Sequence, residues 1–92
     1  KRAVEISPFY WKTWAQLGVA HSFHGEADLA KEALLKALEL APNNSNVNYY
    51  YAAFLSLDEE QLEQALIFVR AALDINPKNT AARRLQQKLL IL

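Results

Sequence analysis

Three prolines divide the chain at nearly equal intervals, since Pro8, Pro42 and Pro77 lie 34 and 35 residues apart. Each stands inside one of three similar segments, AVEISPFY, ALELAPNN and ALDINPKN. Because proline lacks an amide hydrogen and disfavours helical geometry in the residue before it, a helix that reaches such a segment ends there. A fixed period of about 20 to 50 residues is typical of repeated supersecondary units that stack on their neighbours.

Between the prolines, apolar residues recur at helical spacing in two runs per interval, which predicts a pair of helices in each interval. Gly25 divides the first pair, and the turn at residues 56–58, where the longer interval has its additional residue, divides the second. Asparagine, serine and threonine after Pro42 and Pro77 can cap the helices that follow. The sequence therefore predicts an all-α fold, an α-solenoid of antiparallel helix pairs that ends in a capping helix.

The chain is predicted to form one domain, because 92 residues are close to the lower limit for a single hydrophobic core. Alanines such as Ala37 and Ala72 leave room for close helix approach. Leu17, Leu34 and Leu73 are predicted to pack between helices, so that their truncation lowers stability. The absence of methionine suggests a piece of a longer protein. The predicted division is residues 1–10 as the end of a preceding repeat, 11–44 and 45–79 as two repeats, and 80–92 as the capping helix.

The first helix pair carries a specific residue set, with W-x-x-L-G from Trp14 to Gly18, alanines in the second helix and a closing proline. This set resembles the tetratricopeptide repeat family. His21 departs from the aromatic residue usual in the family, and the second pair departs further, with Asn48 in the tryptophan position. The resemblance implies a non-catalytic scaffold that binds a peptide or a partner protein in a concave groove. The residues that carry it are Trp14, Leu17, Gly18, Gly25, Ala30, Leu34, Ala37 and Pro42.

The resemblance also implies that the first helix of each pair lines the groove. The apolar, aromatic and basic side chains found there suit a peptide with some acidic character. Tyr49 is the leading candidate for a contact, although at least two of Tyr49, Tyr50 and Tyr51 are expected to pack in the core. The lysines and asparagines of chaperone-binding family members are absent from the corresponding positions, so no chaperone tail is predicted as a partner. The predicted groove residues are Lys12, Ala15, Val19, Phe23, Asn46, Tyr49, Tyr50, Ala53, Arg84 and Lys88.

Composition and motifs favour a binding module over other classes. Ten basic and ten acidic residues cancel to zero net charge, which argues against a nucleic-acid or membrane partner and leaves a pentatricopeptide-like RNA binder as a weaker alternative. No nucleophile with a base and no glycine-rich phosphate loop is visible, so no enzyme is predicted. His21, His24 and Glu26 have a spacing that could ligate zinc. Because His21 falls in a core position and His24 at a helix end, no metal or cofactor is predicted.

One aromatic cluster predicts a second kind of interaction. Phe9, Tyr10, Trp11 and Trp14 crowd into six residues, and together they form more apolar surface than a monomer usually exposes. The cluster predicts self-association through this edge, or a role in assembling a larger multi-repeat protein, as the alternative to groove binding. The acidic run at residues 58–63 is predicted to begin a helix, where carboxylates complement the helix dipole.

Overall fold

A computed structural model describes residues 10–91 and contains five α-helices in that range. The predicted helix end at residues 1–7, Phe9 of the aromatic edge and Leu92 of the last helix lie outside the described residues. The described part has no strand, and the prediction of an all-α fold is confirmed. The helices are α1 (Tyr10–Phe23), α2 (Ala27–Leu40), α3 (Ser45–Leu55), α4 (Leu62–Ile75) and α5 (Thr80–Leu90).

The five helices form two layers. Helix α1 packs on α2 and α3 packs on α4, while α3 also contacts α1 on one side and α5 on the other. We call α1, α3 and α5 the first layer, and α2 and α4 the second layer. The described backbone measures 48 × 30 × 16 Å. A thickness of 16 Å fits two layers, because packed helix axes lie about 8 to 10 Å apart and the Cα atoms lie about 2.3 Å from each axis.

Turns separate the helices at the predicted residues. Gly25 has a φ of 76°, in the left-handed region that glycine adopts without steric penalty. Pro42 and Pro77 both lie in turns between helices, as predicted. One prediction was imprecise: Asp58 accepts a hydrogen bond from the Glu60 amide at 3.0 Å and begins a single 3₁₀ turn, so that α4 starts only after it. An acidic side chain that bonds an amide two residues ahead favours such a tight first turn.

Two asparagines cap the helices that follow the prolines. The Asn44 side chain accepts from the Val47 amide at 3.1 Å, and the Asn79 side chain accepts from the Ala82 amide at the same distance. Asn79 has a second role, because its amide group donates to the Ser45 hydroxyl at 2.9 Å. That hydroxyl donates in turn to the Ala72 carbonyl at 2.7 Å. Asn79 and Ser45 are buried, so this chain of hydrogen bonds joins the starts of α3 and α5 to the end of α4.

The two caps predict different effects on stability. Asn44→Ala is expected to lower the free energy of unfolding by about 1 kcal/mol, the usual effect of losing a helix cap. Asn79→Ala is expected to lower it by about 0.5 to 1.5 kcal/mol more, because it also removes the hydrogen bond to Ser45 and a longer one to Asn46. Urea denaturation followed by circular dichroism measures both variants under identical conditions. Equal losses would show that the bond between Asn79 and Ser45 contributes nothing.

Apolar residues meet between the layers in two clusters. The larger is built around Leu34, Val69 and Tyr51, with contributions from all the helices except α1. The smaller joins Ala15, Ala37 and Val47. The predicted small residues at the helix contacts are confirmed, because none of their surface is exposed. These residues are Ala30, Ala37, Ala65 and Ala72.

Leu17 corrects one sequence-based expectation. It was predicted to pack between helices, but 42% of its surface is exposed. The corresponding residue of the second pair, Tyr51, is buried and its ring packs edge-on against Phe68 with centroids 4.8 Å apart. In the first pair the position of Phe68 is held by Ala33, whose methyl group is too short to cover Leu17. The same repeat position therefore contributes less to the core in the first pair.

Candidate functional site

A cavity of about 420 Å³ opens where α1 and α3 lie side by side in the first layer. Five of the predicted groove residues line it: Val19, Phe23, Tyr49, Tyr50 and Ala53. The structure therefore brings half of the predicted set around one concave surface. The remaining lining residues are Ser22, Leu34, Phe54 and Leu57.

The cavity has a fixed floor and an exposed mouth. Leu34 at its floor is buried, and Tyr49 and Tyr50 are half-buried with ring centroids 5.5 Å apart. Both tyrosines pack against the larger core cluster, and Tyr51 belongs to it, so the expectation that at least two of the three tyrosines pack in the core is confirmed. Phe23 and Leu57 are 85% and 71% exposed. Two large apolar side chains of a cavity wall are thus left in contact with water.

The sequence missed four of the lining residues. Leu57 could have been found, because Tyr49, Ala53 and Leu57 are spaced four residues apart and so lie on the same side of α3 and its continuation. Leu57 was assigned to the turn at residues 56–58 and was therefore left out of the predicted groove. Ser22 and Phe54 adjoin predicted residues but gave no separate signal.

The other predicted groove residues lie elsewhere. The prediction that Ala15 lines the groove was wrong. Ala15 lies on α1 and is fully buried against Ala37 and Val47, where its small side chain allows the helices to approach. Lys12 and Asn46 are exposed at the starts of α1 and α3, and neither lines the cavity.

Arg84 and Lys88 were also predicted to line the groove. They are exposed on α5, the helix next to α3, and lie outside the cavity lining.

The first layer differs from the second in charge. Helices α1, α3 and α5 contain no aspartate or glutamate, and the cations there are Lys12, Arg83, Arg84 and Lys88. The acidic residues that the structure describes all lie in α2, in α4 or in the turns. They are Glu26, Asp28, Glu32, Glu39, Asp58, Glu59, Glu60, Glu63 and Asp74. A chain with zero net charge thus presents one face that carries only positive charge.

A second cavity, of about 360 Å³, lies at the end of the helix pairs and shares Ser22, Phe54 and Leu57 with the first. Its other walls come from the turn at Gly25, the start of α2 and the loop after α3. Leu57 therefore lines both cavities. This second cavity carries both signs of charge, with Asp28, Lys31 and Asp58 in its wall.

The histidines form no metal centre with their neighbours. The His21 ring nitrogen Nδ1 lies 2.8 Å from a carboxylate oxygen of Glu26, and His24 is exposed in the turn. The hydrogen bond with His21 holds the pKa of the Glu26 carboxyl below its ordinary value. Over residues 10–91, no three His, Asp or Glu side chains gather closely enough to hold a metal ion. No helix described in the same range is long and apolar enough to cross a bilayer.

The predicted aromatic edge lies at the start of α1. The Tyr10 and Trp14 rings meet edge to face with centroids 6.2 Å apart, and Trp11 and Trp14 are half-buried against the smaller cluster. Among the described residues of the edge, Trp11 and Trp14 are thus partly covered by the chain's own core.

Comparison with protein families gives two matches. Two separate models described as tetratricopeptide repeat match residues 12–44 and residues 33–67. Together they cover residues 12–67, from α1 into the first half of α4. No curated protein matches the chain.

Proposed function

Because this chain belongs to the tetratricopeptide repeat family, whose repeats generally mediate protein–protein interaction, we propose that it binds a peptide or partner protein on its first layer. The cavity between α1 and α3 is the centre of the proposed site. The single observation that carries the proposal is that Phe23 and Leu57 extend from the cavity wall into water, 85% and 71% exposed. A partner side chain that entered the cavity would cover both.

The lining of the cavity supports binding without chemistry. Its surface consists of hydrocarbon, aromatic rings and the hydroxyl groups of Ser22, Tyr49 and Tyr50. Such a lining can hold an apolar side chain by burial and orient it by hydrogen bonds. General acid–base catalysis needs an imidazole, carboxylate or amine within hydrogen-bond reach of the reacting group, and the lining contains none of these. We therefore propose a scaffold role rather than an enzymatic one.

A double substitution tests the proposal. Tyr49→Ala with Arg84→Ala is expected to lose captured partners in a pull-down identified by mass spectrometry, while the helical circular dichroism signal is retained. The matched control is Leu35→Ala with Arg70→Ala, which removes one exposed apolar and one exposed basic residue from the second layer. A partner that binds all three proteins equally in a repeat with purified components would contradict the proposal.

Self-association through Tyr10, Trp11 and Trp14 stays an alternative prediction. It is supported by the exposed Leu17, which lies one turn beyond Trp14 on α1. It is weakened by the packing of Trp11 and Trp14 against Ala15, Ala37 and Val47. The cavity is favoured over the aromatic edge because its large apolar side chains Phe23 and Leu57 are more exposed than Leu17 beside the edge. The sedimentation measurement described in the next subsection distinguishes the two.

A further inference from the structure

We propose that the partner is an acidic peptide that places one bulky apolar side chain in the cavity and a carboxylate about three residues away, against Arg84 and Lys88 of α5. This inference rests on the proposed function and gives it a ligand class and a spacing. It combines the apolar cavity, the charge difference between the layers and the positions of the two cations relative to the cavity.

The charge of the first layer selects an acidic ligand. Arg84 and Lys88 are exposed, and neither forms an ion pair with any residue in the described range, where the lysine that does so is Lys36, with Glu39. No carboxylate of α1, α3 or α5 shares the first layer with these cations, and none of the carboxylates of the neighbouring α4 forms an ion pair with them. Complementary charge attracts an acidic segment to the face and excludes a basic one.

The repeat period fixes where the cations stand. Arg84 and Lys88 follow Tyr49 and Ala53 by 35 residues, which is the interval between Pro42 and Pro77. They therefore hold the same positions on α5 that the two cavity residues hold on α3. Because α5 contacts α3 on the side away from α1, the cations lie one helix spacing from the cavity.

This displacement sets the spacing in the partner. Packed helices lie about 8 to 10 Å apart, and an extended chain advances about 3.3 Å per residue. An extended peptide that crosses α3 toward α5 therefore brings its third residue after the anchor beside Arg84 and Lys88. Arg84 and Lys88 lie on the α5 side of the cavity, so the fold fixes the side on which the carboxylate lies, and a peptide of either chain direction can supply it.

Single-stranded RNA is the competing ligand for a face with cations and aromatic rings. The observations favour a peptide. Tyr49 and Tyr50 are tilted at 52° to each other and pack against the core, so they do not form parallel platforms on which successive bases stack. The cavity floor is the aliphatic side chain of Leu34, which suits an apolar side chain better than a polar base edge. The chain as a whole also has no net positive charge to attract a long polyanion, because its ten basic and ten acidic residues are equal in number.

The test uses a synthetic nonapeptide with a central phenylalanine, two glycines on either side and two glutamates at each end. It presents carboxylates three residues from the anchor in both directions. One control peptide carries glutamine in place of glutamate, and another carries alanine in place of phenylalanine. NMR titration of the isotope-labelled protein gives each Kd and the amides that shift. We expect shifts at Tyr49 and Leu57 from the anchor and at Arg84 and Lys88 from the carboxylates.

Variants of the cations make the test specific. Arg84→Gln with Lys88→Gln is expected to weaken binding of the acidic peptide at least tenfold, and added salt is expected to weaken binding to the wild-type protein. The control, Lys36→Gln with Arg70→Gln, removes two cations of the second layer and is expected to leave the Kd unchanged. Equal binding of the glutamine peptide would overturn the acidic partner while leaving the proposed function intact, since the anchor contact would remain.

Three other outcomes also count against the inference. Failure of the acidic peptide to bind would overturn it, because that peptide contains both features the face is inferred to recognise. Binding of oligouridine with shifts at Tyr49 and Arg84 would assign the layer to RNA. A concentration-dependent dimer in sedimentation that is abolished by Arg84→Gln with Lys88→Gln would show that the first layer binds a second copy of the chain. A dimer that is abolished by Trp14→Ala instead would place the self-association at the aromatic edge.

Discussion

Replacing Leu34 with alanine is expected to lower the free energy of unfolding by about 2 to 5 kcal/mol. Only 1% of its surface is exposed, and it lies in the larger core cluster, where α2 meets α3. Truncation removes three carbon atoms from this contact and leaves a void that tightly packed helices fill only in part. For a domain with about 5 to 15 kcal/mol of total stability, the variant is expected to be partly unfolded at 37 °C.

Leu35 is the matched control for this prediction. It is the next residue of the same helix, has the same chemistry, and is 43% exposed. Leu35→Ala is therefore expected to lower the free energy of unfolding by no more than about 1 kcal/mol, since surface substitutions rarely have larger effects. Urea denaturation followed by circular dichroism compares the two. Equal losses would show that Leu34 does not hold the layers together.

Leu17, Leu34 and Leu73 are equivalent candidates for core packing in the sequence, and the structure separates them. Leu34 is buried, Leu73 is half-buried against the larger cluster, and Leu17 is 42% exposed. The period identifies equivalent positions but not the size of the residue that each one meets. Tyr51 packs on Phe68, whereas the repeat places Ala33 at the position of Phe68 in the first pair. The burial of such a position depends on the residues of two packed helices, so the sequence of one helix alone does not predict it.

The elements with a local cause were predictable. A proline ends the helix before it, and an asparagine two residues later caps the next helix, so the turns at Pro42 and Pro77 follow from short stretches of sequence. The buried alanines were predictable because only small residues permit the helix spacing.

The candidate site was predictable only in part. The family resemblance located Val19, Phe23 and Tyr49 on one face, but it also named Ala15, which is buried. A residue one turn from a cavity can point into the adjacent helix instead, and that orientation depends on the crossing of α1 and α2. The all-basic first layer was present in the sequence but could not be recognised until the helix bounds and layers were known.

Gly18→Ala is the second large effect that we expect, and its direction is opposite to the usual one. Glycine inside a helix is ordinarily less stable than alanine by about 1 kcal/mol. Here a Cβ atom at position 18 would lie 2.5 Å from Cγ and 2.8 Å from Cδ2 of Leu34, and 3.2 Å from the Ala30 carbonyl oxygen. The nearer atom, Cγ, is close to the backbone of Leu34, so turning the end of the side chain toward the cavity does not relieve the contact. Overpacking of this kind typically lowers stability by about 1 to 3 kcal/mol, so we expect a net loss.

The second helix pair supports this explanation. Ala52 stands at the position of Gly18, and Val69 stands at the position of Leu34. Both are fully buried. The first pair combines glycine, which has no side chain, with the longer leucine. The second pair combines alanine, which has a methyl group, with the shorter valine. The two pairs thus fill a similar space with a different division of volume.

A double-mutant cycle checks whether positions 18 and 34 are coupled. Once Leu34→Ala has removed Cγ and Cδ2, the added methyl of Gly18→Ala no longer meets them, and alanine is expected to stabilise the helix by up to about 1 kcal/mol. The same substitution is thus expected to destabilise the wild-type protein and to stabilise the Leu34→Ala variant. Coupling of about 0.5 to 3 kcal/mol is the range for residues in contact.

Urea denaturation of the wild type, both single variants and the double variant gives the four free energies of unfolding. The combination Gly18→Ala with Leu34→Val, which reproduces the second pair, is expected to be more stable than the sum of its single changes, because the space vacated by leucine admits the new methyl group. If Gly18→Ala raised stability by the same amount in the wild type, in the Leu34→Val variant and in the Leu34→Ala variant, then the close approach of α1 to α2 at this position would have to be abandoned as the reason for the glycine.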